Sequence, residues 1–195
     1  MKRLLYVTSV VPGRMDNGAK IRCGEVLKGL AQCFDVEFVG LAASAEDRDA
    51  TLALLSGLRV RGHVVFSGKP APLAIALKSV IGFIPWRFAL KLNREFVRTV
   101  REYSVGFSGL IVCNFLETAY ILRKESCLAR VVIDQNNWDR DWFERFCQHG
   151  SFSRKLFGRW NLLALKRLDQ RMYSKVAGVV CVTDRDRART VEECE

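Results

Sequence analysis

Lys2-Arg3-Leu4-Leu5-Tyr6-Val7-Thr8-Ser9-Val10-Val11-Pro12-Gly13 opens the chain, and Asn17-Gly18-Ala19-Lys20-Ile21-Arg22 follows a few residues later. Leu4 to Val11 is a short run of bulky and β-branched residues, the pattern of a strand buried on both faces. Pro12 and Gly13 stop it. Gly18 sits just ahead of a helical pattern that puts Ile21, Val26, Leu27, Leu30 and Ala31 on one face. Strand, glycine-bearing loop and helix make the opening unit of a doubly wound α/β fold. The backbone N–H groups at such a helix start favour an anion.

The same alternation continues. Asp35 to Leu41 reads as a second strand. Ser44-Ala45-Glu46-Asp47 signals a helix start, with Ser44 as cap and two acids at the positive end of the dipole, and Gly57 is the stop. Arg59 to Phe66 is a third strand, closed by Ser67 to Pro70. Residues 72–92 are crowded with aliphatic and aromatic side chains between Lys78, Arg87 and Lys91, and suit two short helices kinked around Gly82 and Pro85. Such a pair either packs on a sheet or rests at an anionic membrane surface. Asn93 to Tyr103 follows as a basic helix with Phe96, Val97 and Val100 inward. Phe107 to Cys113, Arg130 to Asp134 and Val176 to Val182 are strands four to six, with a long helix over Phe152 to Lys175. Thr183 and Asp184 cap a last helix. Strands separated by helices, without hairpin turns, indicate one parallel sheet covered on both faces and a single domain over residues 1–195.

Composition narrows the classes. Of 195 residues, 49% are hydrophobic, enough for one packed domain, yet no apolar run approaches the length of a membrane span. Met1-Lys2-Arg3 and Leu4 to Val11 have the charge order of a signal peptide, but Pro12, Gly13, Arg14 and Asp16 interrupt it before a cleavage site. The expectation is a cytoplasmic protein, with the inner face of the membrane open to residues 72–92. Seven cysteines, scattered and without Cys-x-x-Cys spacing, read as buried thiols, so neither disulfides nor a metal site is expected. The net charge of +10 favours anionic partners without choosing among them. No nucleic-acid motif accompanies it, and no nucleic-acid partner is expected. The first loop lacks Gly-x-Gly-x-x-Gly, which weakens a dinucleotide-dependent enzyme.

In open parallel sheets the ligand lies outside the carboxyl ends of the strands. The polar residues there are Ser9, Gly18 to Arg22, Asn114, Glu117, Asp134, Asn136, Asn137, Thr183 and Asp184. Each has an ordinary turn or cap duty as its alternative.

Four stretches, in this order, carry a resemblance: Gly18-Ala19-Lys20-Ile21-Arg22, Asp134-Gln135-Asn136-Asn137 with Trp138-Asp139 behind it, Leu168-Asp169-Gln170-Arg171, and Val176-Ala177-Gly178-Val179-Val180-Cys181-Val182-Thr183-Asp184. Together they resemble the amino-terminal, acceptor-side domain of GT-B glycosyltransferases of the family 4 group, in particular bacterial exopolysaccharide-associated sugar transferases. Ala19 stands where the family's second glycine is usual, Asn136 where histidine is frequent, and Asn114 where a histidine often follows the fourth strand.

The resemblance implies a Rossmann-like doubly wound parallel sheet of about six or seven strands, the first half of a GT-B fold. It also implies retaining, nucleotide-sugar-dependent transfer in cell-surface polysaccharide or glycolipid synthesis. Gly18, Ala19, Lys20 and Arg22 would then face the donor phosphates, and Asn114, Glu117, Asn136 and Asn137 a sugar or lipid-linked acceptor. No cofactor would be tightly held and no metal used; the nucleotide sugar would be a co-substrate. The donor-binding second half is absent from these 195 residues, so the chain is expected not to transfer sugar alone. The alternative is a non-enzymatic, degenerate domain that holds an anionic glycan, a lipid-linked phosphate or a partner protein.

Overall fold

The structure, a computed structural model, describes residues 1–68, 71–135, 139–149 and 151–194. Six parallel strands form one sheet: β1 (Lys2–Thr8), β2 (Phe34–Ala42), β3 (Arg61–Phe66), β4 (Leu110–Asn114), β5 (Val131–Gln135) and β6 (Gly178–Cys181). Their order is β3-β2-β1-β4-β5-β6. The chain winds outward from β1 to one edge, then returns to add β4 beside β1 and winds to the other. This is the Rossmann-like doubly wound arrangement, with its reversal of direction between β1 and β4.

Alternation along β1 builds the two layers. Leu4 and Tyr6 point to one face and pack with Cys23 and Leu27 of α1 (Gly18–Cys33) and Leu55 of α2 (Ala45–Gly57). Leu5 and Val7 point to the other, into a larger core. That core takes Ile75 from α3 (Pro72–Gly82), Phe88 and Ala89 from α4 (Trp86–Lys91), and Phe96 and Val100 from α5 (Arg94–Ser104). Its floor is completed by Ile121 of α6 (Leu116–Ile121), Phe143 of α7 (Asp139–His149), and Leu165 and Leu168 of α8 (Phe152–Tyr173). A 3-10 turn over Ser126–Arg130 leads into β5, and α9 (Asp184–Cys194) follows β6.

Several local expectations are met by identifiable bonds. Ser44 caps α2 by accepting from the Asp47 amide at 3.1 Å, and Glu46 and Asp47 occupy the first turn. Asn93, which the sequence pattern makes the first residue of a helix, instead caps α5, accepting from the Glu95 and Phe96 amides. Thr183 accepts from the Asp186 amide at the start of α9. Other expectations are corrected. β1 ends at Thr8, because the Thr8 side chain turns back to the Val10 carbonyl and begins a loop three residues before Pro12. Ile21 is exposed, since Cys23, Gly24 and Leu27 set the inward face of α1. Arg59 has φ 55°, so β3 begins two residues later than its β-branched pattern suggests. Cys33 is exposed, unlike the buried Cys23, Cys113 and Cys127. Helices α6 and α7 were not anticipated.

Residues 72–92 do two things. One face packs inward through Ile75, Ile84, Phe88, Ala89 and Leu92. The other presents Leu73, Leu77, Val80 and Ile81 to solvent. No helix among the described residues is long and apolar enough to cross a membrane.

Candidate functional site at the carboxyl edge of the sheet

The reversal between β1 and β4 brings together polar side chains from four elements. Asn114, the last residue of β4, is fully buried. Its Oδ1 accepts from the Thr8 hydroxyl of β1 at 3.2 Å, and its Nδ2 donates to Asp134 Oδ2 of β5 at 3.0 Å. The other oxygen of Asp134 accepts from Arg22 of α1 at 2.6 Å. Three strand ends and the first helix are thus joined through one buried carboxylate.

A second bridge crosses the same gap. The Ser9 hydroxyl, just past β1, donates to Glu117 Oε1 of α6 at 2.7 Å. Lys91, at the end of α4, donates to the Ser9 carbonyl at 3.4 Å. Burial lowers the Lys91 pKa, and the Glu117 charge partly restores it. Glu117 is placed by an unusual backbone. Phe115 has φ 71° and ψ 152°, a region that disfavours side-chain-bearing residues, so α6 turns away from β4 immediately. Strain of this kind costs about 1–3 kcal/mol and persists only where the surroundings over-determine it. Here the Phe115 amide donates to the Asp134 carbonyl, and Thr118 donates to the carbonyls of Asn114 and Phe115.

The loop ahead of α1 carries its own charge pairing. Asn17 caps α1 by accepting from the Lys20 amide at 3.1 Å. Gly18 is therefore the first helical residue, and its position leaves open space where a Cβ would sit. Ala19 follows it. The Lys20 ammonium lies 2.8 Å from Asp47 and 3.0 Å from Asp16. Burial opposes its charge, but the two carboxylates outweigh that and raise its pKa; Asp16 is lowered in return, chiefly by its hydrogen bond from Lys20. Lys20 and Arg22 are both answered by carboxylates inside the protein. A phosphate at this loop would have to share them or displace those partners.

Asn136 and Asn137 lie outside the described residues. Thr183 and Asp184 are exposed beyond the edge strand β6 and take no part in the network. Asp169 is buried and accepts from Arg140 at 2.9 Å, which clamps α7 to α8. Among the described residues no group of three or more His, Cys, Asp or Glu could hold a metal ion. Thr8 and Lys91 belong to the cluster and were missed by sequence reasoning. The position of Thr8 at the end of a central strand was a usable signal for it; Lys91 is brought in only by the tertiary path of α4.

No family model matches the chain, and no curated protein matches it in sequence. Among solved structures, the N-terminal domain of trehalose-6-phosphate phosphatase from Candida albicans is similar in fold, with a TM-score of 0.54 at 14% identity. The match covers 100% of this chain and 43% of that one. At this identity the likeness concerns the Rossmann-like fold alone.

Proposed function

We propose that this chain is the acceptor-side domain of a retaining, nucleotide-sugar-dependent glycosyltransferase of the GT-B kind, acting in cell-surface polysaccharide or glycolipid synthesis. The observation that most supports the reading is the polar cluster at the β1/β4 reversal, the chain Thr8–Asn114–Asp134–Arg22 and beside it the Ser9–Glu117 pair. That is where open α/β sheets bind ligands. In this reading Asn114 and Asp134 are positioning residues, because their polar atoms are committed to one another and to Thr8 and Arg22. Glu117 and Ser9 form the hydrogen-bonding pair nearest an acceptor hydroxyl, with Lys91 supplying positive charge beside them. The Gly18–Lys20 turn would meet the donor diphosphate, with Lys20 leaving Asp16 or Asp47 as the phosphate arrives. The nucleotide sugar is a co-substrate and no tightly held cofactor is required.

The internal pairing of Lys20 and Arg22 also favours a second reading, a non-enzymatic module that binds an anionic glycan or lipid-linked phosphate elsewhere on its surface. One experiment separates them. The product of the natural reading frame is incubated with a panel of nucleotide sugars and a membrane-lipid extract, and nucleoside diphosphate release is followed. The transferase reading expects acceptor-dependent release that Glu117→Gln lowers about 10²-fold, the scale of one well-placed hydrogen-bonding group in a transition state. Absence of release across the panel, with the protein folded, would refute it in favour of the binding module.

A further inference from the structure

On the sheet face opposite α1 lie two adjoining cavities, one of about 570 Å³ between α3, α5 and α6 and one of about 480 Å³ between α3, α6 and α8. They share Ile81, Gly82, Tyr120 and Arg123. The smaller is lined by five cations: Arg123, Lys124, Arg167, Arg171 and Lys175. Lys78, Arg94 and Arg101 line the larger, and no Asp or Glu is among the described residues of either lining. Aromatic faces hold two of the guanidinium groups in place: Arg123 lies 3.9 Å above the Tyr120 ring and Arg167 5.4 Å above that of Phe83. None of the five cations of the smaller cavity forms an ion pair among the described residues. A concentration of unanswered positive charge of this kind attracts polyanionic surfaces.

Helix α3, which lends Leu77 and Ile81 to this groove, is apolar on its outer face. Leu73, Leu77, Val80 and Ile81 recur at helical spacing along α3 and are 72%, 53%, 61% and 81% exposed. Four outward aliphatics on one helix face cost solvation in water and need a partner. Nucleic acid would be held by the cations but gains nothing from aliphatic side chains, which neither stack on bases nor contact phosphates. A bilayer satisfies both halves: an amphipathic helix lies in the interface with its aliphatics among the acyl chains, while flanking cations meet lipid phosphates.

We propose that this face docks on an anionic lipid bilayer. Ile81, Val80, Leu77 and Leu73 enter the headgroup boundary, and Arg123, Lys124, Arg167, Arg171 and Lys175 contact the phosphates. The inference does not rest on the transferase reading, since it uses a different surface and a different assay.

The test is co-sedimentation of the full chain with phosphatidylcholine vesicles, with and without phosphatidylglycerol, at low and high salt. The chain should pellet with the anionic vesicles only, and less at high salt. Arg171→Gln with Lys175→Gln should lower the partition coefficient about 25-fold, roughly fivefold for each neutralised cation. Ile81→Asp and Leu77→Ser, both at exposed positions, should also lower it while leaving the melting temperature unchanged. Lys28→Gln with Arg48→Gln, the same charge change on α1 and α2, should leave binding intact. No binding to anionic vesicles would overturn the proposal. So would an equal loss in the α1/α2 pair, or vesicle binding displaced by single-stranded RNA and indifferent to Ile81→Asp. A dimer that Ile81→Asp dissociates, with no vesicle binding, would assign the face to a second copy and equally overturn it.

Discussion

Removing the Asp134 carboxylate tests the central junction most directly. Asp134→Ala takes the acceptor from Asn114 Nδ2 at 3.0 Å and from Arg22 at 2.6 Å. Asn114 is fully buried, so its amide loses a partner that water cannot replace, at a cost of about 2 kcal/mol. The Arg22 side chain is 33% exposed and regains some hydration, which reduces its share to about 1 kcal/mol. The sum is about 3 kcal/mol, or roughly 6–12 °C in melting temperature for a chain of this size. Arg22→Met alone leaves a buried carboxylate short of its cation and should cost about 2 kcal/mol. The double variant has no stranded charge. Its destabilisation should therefore fall short of the sum of the two single variants by about 1.5 kcal/mol. Urea unfolding followed by circular dichroism reads all three variants, provided the slope with denaturant stays constant. A coupling below about 0.5 kcal/mol would refute the claim that Arg22 and Asp134 act as one unit.

Other expectations are simpler. Ser44→Ala removes the cap of α2 and should cost about 1 kcal/mol in the same urea assay. Gly109→Ala should cost about 2–3 kcal/mol, because the added Cβ would lie 2.2 Å from the Arg3 carbonyl oxygen in the adjacent strand, which cannot retreat. Gly18→Ala meets open space and should instead gain about 0.5 kcal/mol by restricting the unfolded chain, so a loss there would show that the loop is tighter than described. Burial pushes the Cys113 thiol to about 12 and Cys23 to about 11, and raises the Tyr6 phenol well above its ordinary value. The folded protein therefore keeps protons that the unfolded chain begins to release near pH ~8.5, and stability falls as pH rises from there toward the folded values. Lys91 and Lys78, lowered by burial, work in the opposite sense over the upper part of that window. With the thiols and phenol dominant, the melting temperature should drop between pH ~8.5 and ~10.5, and Cys113→Ala should flatten the drop.

The fold was legible because its signals are local. A strand buried on both faces shows in the run that opens at Leu4, and Ser44 and Thr183 announce helices that each of them does cap. α6 was missed because six residues, among them Thr118 and Tyr120, carry no readable helical period. α7 was more accessible: Trp142, Phe143 and Phe146 form an aromatic patch at helical spacing, behind an acidic start. The site was legible only as candidates. Thr8 reaches Asn114 across 106 positions and Arg22 reaches Asp134 across 112, pairings that the winding of the sheet decides and that no spacing in one sequence reveals. The first loop shows the same limit. Lys20 and Arg22 read as cations offered to an anion, and only their tertiary partners, Asp47 and Asp134, show where that charge is spent.

Phe115 explains why the two bridges belong together. At the reversal β1 and β4 are neighbours, but the connections beyond them leave in different directions, so side chains past the strand ends tend to separate. With an ordinary extended backbone at residue 115, α6 would begin further along the axis of β4. The φ of 71° folds it back at once, and Glu117 arrives beside Ser9 while Asn114 stays under Thr8. The Asp134 carbonyl holds that turn by accepting from the Phe115 amide, and the Asp134 side chain holds Asn114 and Arg22. One residue of β5 thus fixes both the strained backbone and the polar network, so the geometry of Glu117 depends on the carboxyl end of β5.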